Sequence, residues 1–161
     1  MNLPVAQADL TGKHVIVTGG NSGLGAEAIK HFAKQQSPPS SIYLLCRNVA
    51  NGQKVAKQAK AESGYQSDIV VEAVDLCSFA SLKKFAEKYN AKGQSADVLL
   101  MNAGTTAVSF ELSDDGHEKQ LQTNALSPFL LPVLLRPSLK LSSAPRVSIV
   151  SSLMSMYASP K

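Results

Sequence analysis

The apolar run His14-Val15-Ile16-Val17 passes directly into Thr18-Gly19-Gly20-Asn21-Ser22-Gly23-Leu24-Gly25, and a helix-competent segment follows. A strand, a glycine-rich turn and a helix in that order restrict the chain to few folds. Glycines let the backbone come close to a ligand without a Cβ in the way. The free N–H groups and the dipole of the helix that follows then favour negative charge, so the arrangement suits a pyrophosphate.

The rest of the 161 residues alternates in the same manner. Short apolar runs bounded by polar or turn residues predict strands over 14–18, 42–46, 69–74, 97–101 and 146–150. Between them, helices are expected over 23–35, 50–63 and 79–91, and in some broken form over 116–141. Pro38-Pro39 with the flanking serines marks a helix stop. This βαβα alternation predicts an α/β fold: one Rossmann-type, doubly wound parallel sheet in a single domain over 1–161, with helices on both faces. Right-handed crossovers give the strand order 3-2-1-4-5. The last strand then lies at an open edge, with few residues after Val150 to cover it. The sequence therefore reads as a C-terminally incomplete fold, or one that needs a partner.

Composition narrows the function. The net charge is +4, but the lysines (Lys54, Lys57, Lys60; Lys83, Lys84, Lys88) are spread along amphipathic helices and do not interleave with aromatics. They read as solvated faces, so no nucleic-acid partner is expected. Cys46 and Cys77 read as reduced thiols rather than a disulfide framework. No basic segment followed by an apolar core opens the chain, which predicts a cytoplasmic protein. The most apolar stretch, 129–141, is interrupted by Pro132, Arg136 and Pro137, so no membrane span is expected. His14, His31 and His117 show no ligand spacing, so no metal site is expected.

Further features follow the glycine turn in order. Arg47 closes the second strand, roughly 20 residues beyond Gly25, where a dinucleotide site meets the adenosine ribose. An acid there would bond the 2′-hydroxyl, and a cationic fork suits a 2′-phosphate. The sequence has Arg47 and no acid, which favours NADP(H) over NAD(H). Asp75-Leu76 ends the third strand. Asp75 could accept from an adenine amino group or cap the helix starting near Ser78. Asn102-Ala103-Gly104 follows the fourth strand, where small residues leave room for a ribose.

Together these motifs resemble the short-chain dehydrogenase/reductase family of NAD(P)-dependent oxidoreductases. The turn matches T-G-x-x-x-G-x-G, with Gly19, Gly23 and Gly25 at its glycines and Asn21, Ser22 and Leu24 within the segment. Asp75-Leu76 matches the adenine-side aspartate, and Asn102-Ala103-Gly104 the N-A-G. The likeness runs on through Asp114-Asp115-Gly116-His117-Glu118, Thr123-Asn124-Ala125-Leu126-Ser127-Pro128-Phe129 and Arg146-Val147-Ser148-Ile149-Val150-Ser151-Ser152. The D-G-x-E, S-P-F and C-R-N features resemble the retinol-dehydrogenase-like and fungal reductase branch, many of whose members use NADPH.

The resemblance implies hydride transfer between NADPH and a carbonyl or alcohol of a lipophilic small molecule of sterol, retinoid or secondary-metabolite type. It implies that Asn124 holds a water in a proton relay and that Ser152 bonds the substrate oxygen. The family's acid/base is a tyrosine whose pKa is lowered by a nearby lysine. Tyr157 and Lys161 form a literal Y-x-x-x-K, but Ser152 precedes Tyr157 too closely for the family pattern, and Pro160 opposes a helical Ser159. They read as coincidental, with the working pair expected downstream. The alternative is a truncated NADPH-binding pseudo-enzyme or interaction module. Two departures stand out: Ser127 replaces a frequent glycine, and Pro132 falls in the helix that packs on a sister subunit in many members. The second predicts a kink or an early break and puts the homodimer surface in doubt.

Overall fold

The computed structural model describes residues 7–106 and 109–151. Its centre is a parallel sheet of five strands: β1 (His14–Thr18), β2 (Ser41–Cys46), β3 (Asp68–Ala73), β4 (Val98–Met101) and β5 (Arg146–Ile149). Their spatial order is β3-β2-β1-β4-β5, as the crossover rule predicts. Register follows the apolar runs. Ile16 lies between Tyr43 of β2 and Leu99 of β4.

The period-2 alternation of strand side chains divides the core into two layers. Ile16, Tyr43, Leu45, Leu99 and Met101 face α3 (Phe79–Asn90) and α5 (Ser127–Leu134), whose Leu82, Phe85, Tyr89 and Leu131 complete that layer. Val15, Val17, Ile42 and Leu44 face α1 (Gly23–Ala33) and α2 (Val49–Ser63), with Ile29, Ala33, Ala59 and Tyr65 packed against them. Burial on both faces is why β1 and β2 read as continuous apolar runs.

Local chemistry sets the helix ends. The Asn48 side chain caps α2 by accepting from Asn51 N, and Gly64 closes that helix in the left-handed region at φ +72°. The Ser78 side chain caps α3 by accepting from Ser81 N. Helix α1 ends at Ala33, two residues before the expected stop.

The segment expected to be broken falls into four pieces. A three-residue turn α4 (Lys119–Leu121) leads into a π-turn, Gln122–Leu126, and then into α5 and α6 (Arg136–Leu139). The cause is proline. Pro128 has no N–H to donate to the carbonyl of Asn124, and the ladder widens so that Ser127 N bonds Gln122 O, five residues back. Pro132 lies inside α5, which ends two residues later.

At the amino-terminal rim of the sheet, Asp97 ties β1, β4 and the approach to β5 together. It is 4% exposed. Its Oδ2 accepts from His14 N at 2.9 Å and Ser95 Oγ at 2.6 Å, its Oδ1 accepts from Ser142 Oγ at 2.6 Å, and Lys13 Nζ lies 3.5 Å away.

Candidate cofactor cleft

Strand β1 pairs with β2 on one side and β4 on the other, so the chain reverses its winding at β1. In doubly wound sheets a crevice opens at that point, beyond the carboxyl ends of the strands. Here the crevice encloses about 500 Å³ and is lined from the ends of β1 to β4.

Ten of the residues expected at a cofactor come together in it: Gly19, Asn21, Ser22 and Leu24 from the turn, Arg47 after β2, Asp75 and Leu76 after β3, and Asn102, Ala103 and Gly104 after β4. Gly23 and Gly25 are not on its lining, and Gly25 lies beneath the turn. Asn124 stands beside the cleft, and its neighbour Thr123 lines it. Ser152, Tyr157 and Lys161 lie outside the described residues, as do Met154 and Met156.

The turn is built by close approach. Gly19 adopts φ +67°, and a Cβ there would lie 2.9 Å from Ala103. Gly19 N donates to Leu45 O at 2.8 Å, which fixes the turn to the end of β2. Buried Thr18 locks the opposite wall: its Oγ1 accepts from Asn102 N at 3.0 Å and Ala103 N at 3.1 Å, and its carbonyl accepts from Asn102 Nδ2 at 3.2 Å.

The amino end of α1 fits an anion. Its N-cap, Ser22, makes no side-chain capping bond, and the first turn carries no acid. Helices α2 and α3 are capped by their own side chains, whereas α1 presents uncapped first-turn N–H groups beside the cleft. Arg47 is exposed at the cleft margin, and no acid follows β2. This donor set fits a phosphorylated dinucleotide.

The capping alternative for Asp75 is corrected, because Ser78 is the N-cap of α3. Asp75 Oδ1 instead accepts from Cys77 N at 2.9 Å, and Asp75 N donates to Ser81 Oγ at 3.0 Å. The carboxylate is held in a tight turn on the cleft wall.

Sequence reasoning gave no role to Thr18, Cys46, Asn48, Thr105 or Thr123, which also belong to the site. Thr18 and Thr123 sit inside quoted motifs, T-G and T-N, so their signal was present. Cys46 carried none. Burial pushes its thiol up, and Sγ donates to Asn48 O at 3.3 Å, so it is a packing residue rather than a nucleophile. Both cysteines are free thiols.

Asn124 and Thr105 form a reciprocal pair. Thr105 N donates to Asn124 Oδ1 at 2.8 Å, and Asn124 Nδ2 donates to Thr105 O at 2.8 Å. The side-chain amide is thus committed to the segment after β4. Pro128 has no N–H to give the Asn124 carbonyl, which therefore lacks the usual helical donor four residues on.

Among the described residues, no helix is long and apolar enough to cross a membrane, and no group of three or more His, Cys, Asp or Glu could hold a metal.

Comparison with known proteins agrees with this geometry. Retinol dehydrogenase 11 of Homo sapiens is 38% identical over 144 residues, covering 89% of this chain and 44% of that protein. Short chain dehydrogenase sor7 of Hypocrea jecorina is 37% identical over 144 residues, covering 86% of this chain and 40% of that protein. The chain therefore spans less than half the length of these two relatives. A metagenomic short-chain oxidoreductase solved in complex with NADP shares the fold, with a TM-score of 0.76 and 23% identity over 91% of this chain and 64% of that one. The short chain dehydrogenase family pattern matches residues 13–161, and the chain belongs to that family.

Proposed function

We propose that this chain carries the dinucleotide site of a cytoplasmic NADP-dependent oxidoreductase, which moves a hydride between NADPH and the carbonyl or alcohol of a lipophilic small molecule. The observation that carries the cofactor choice is Arg47 on the cleft at the end of β2, with no acid at that strand end. A carboxylate there would repel a 2′-phosphate, and a guanidinium accepts it as a planar fork. The likeness to retinol dehydrogenase 11 supports the lipophilic substrate class, and the likeness to an NADP complex supports the cofactor.

In this reading the backbone of Gly19 to Leu24 and the amino end of α1 hold the pyrophosphate. Arg47 holds the 2′-phosphate, Asp75 and Leu76 flank the adenine, and Asn102, Ala103 and Gly104 lie against a ribose. The nicotinamide supplies the hydride chemistry when bound. Asn124 holds a relay water by its carbonyl, and Ser152 orients the substrate oxygen.

Calorimetric titration of the chain with NADPH and NADH tests the cofactor choice. NADPH should bind at least about tenfold tighter than NADH. Arg47→Asp should weaken NADPH about 10- to 100-fold, the worth of a charged hydrogen-bond set, and leave NADH within about threefold. Equal affinities in the wild type would overturn the NADP assignment. Tight NADPH binding without carbonyl reduction would leave the pseudo-enzyme reading in place.

A further inference from the structure

The π-turn that carries Asn124 has a buried polar side chain at its start and another just after it. Gln122 and Ser127 are both 0% exposed. Burying an amide and a hydroxyl is unfavourable unless each finds a partner, and here the partners converge. The Ser127 hydroxyl donates to Leu76 O, on the cleft wall. Gln122 Nε2 donates to Asp115 Oδ2 at 2.6 Å, and the same oxygen accepts from Phe79 N at 2.8 Å. The Ser113 hydroxyl donates to Gln122 Oε1 and fixes the amide's orientation. Both ends of the turn are therefore tied to one short stretch, Leu76 to Phe79, which leads from β3 into α3.

The ties supply what the backbone lacks. With Pro128 unable to donate, the turn has lost a rung of its ladder where it carries Asn124. An unbraced π-turn has weak register, and a slip would move Asn124 off Thr105. We infer that Gln122, Asp115 and Ser127 are positioning residues: they clamp the π-turn to the loop after β3, so the segment lining the adenosine end of the cleft sets the Asn124–Thr105 pair. This rests on the reading of Asn124 as a catalytic group, but the clamp itself is testable without ligand.

The experiment is amide hydrogen exchange by NMR on the full chain. The reporter is Thr105 N–H, whose acceptor is Asn124 Oδ1. Asp115 is exposed, so it can be changed with little risk to folding. Asp115→Ala removes the shared acceptor, whereas Asp115→Asn keeps a carbonyl oxygen. Thr105 exchange should rise about tenfold or more in Asp115→Ala and in Ser127→Ala, return to within about threefold of wild type in Asp115→Asn, and leave Ile16 N–H in β1 unchanged. Unaltered Thr105 exchange in both alanine variants would overturn the clamp, as would a rise shared equally by Ile16. Repeating the measurement with NADPH separates the two readings. Failure to bind NADPH would sink the cofactor assignment, while the unliganded exchange still judges the clamp.

Discussion

Gly25 carries the strictest steric demand in the cleft. A Cβ there would press on the carbonyl of Gly19 and lie 2.6 Å from Asn102 Nδ2. Neither can yield. The carbonyl belongs to the turn, and the amide is already bonded to Thr18 O. Gly25→Ala should therefore cost about 1–3 kcal/mol of stability, read as a lower urea midpoint. It should also weaken NADPH binding about tenfold or more, because the shift opens the turn. A variant with unchanged midpoint and affinity would show that the turn is softer than its contacts indicate. The sequence pattern explained the glycines by approach to a phosphate. For Gly25 the cause is instead contact between α1 and the segment after β4, which only the fold brings together.

Among the elements, β1 and β4 are joined at their amino ends by Asp97. Burial pushes this carboxyl up, but hydrogen bonds from the Ser142 and Ser95 hydroxyls and from His14 N–H, with the charge of Lys13, more than offset it. The group is held below the usual carboxylate range. A carboxyl lowered in the folded state contributes stability above its unfolded value, near pH 4, and that contribution fades as pH falls through the folded value. Asp97→Asn should lower stability by about 1–3 kcal/mol at neutral pH, and its gap to wild type should narrow steadily below about pH 4. Urea midpoints across that range check it; a gap independent of pH would show that shape rather than charge is at work. The strands themselves were legible in the sequence, because burial on both faces leaves a plain apolar run. The π-turn was not. Pro132, Arg136 and Pro137 were read as the interruptions, and α5 does end two residues after Pro132, but the ladder also widens earlier, where Pro128 withholds its N–H and buried Gln122 and Ser127 hold the result. Local pattern signals that a helix will fail, but tertiary partners decide where.

At the scale of the molecule, the sheet has an uneven flank. All four residues of β5 are exposed, and Val147 and Ile149 are 44% and 41% accessible. Among the described residues, β5 pairs only with β4. An apolar edge with unpaired backbone groups invites another strand. The 161-residue chain should gain average mass in sedimentation velocity as concentration rises from about 10 to 200 μM, and Ile149→Lys should reduce that association. Association that persists unchanged in Ile149→Lys would place the contact elsewhere. The strand order and this bare edge followed from crossover handedness and the count of apolar runs. The cleft was also largely legible, because a parallel sheet delivers every strand's carboxyl end to one side, and motifs at those ends must meet.

The same geometry keeps two kinds of chemistry apart. The polar staple of Asp97 sits at the amino rim of strands whose carboxyl rim holds the cleft. Five residues of β1, at about 3.3 Å each, separate the two by roughly 16 Å. Changes that far apart act almost independently. On the proposed reading of Arg47, a lineage built on this sheet can thus exchange the residue at position 47, and with it the preferred nucleotide, while the fastening that keeps the strands in register stays untouched.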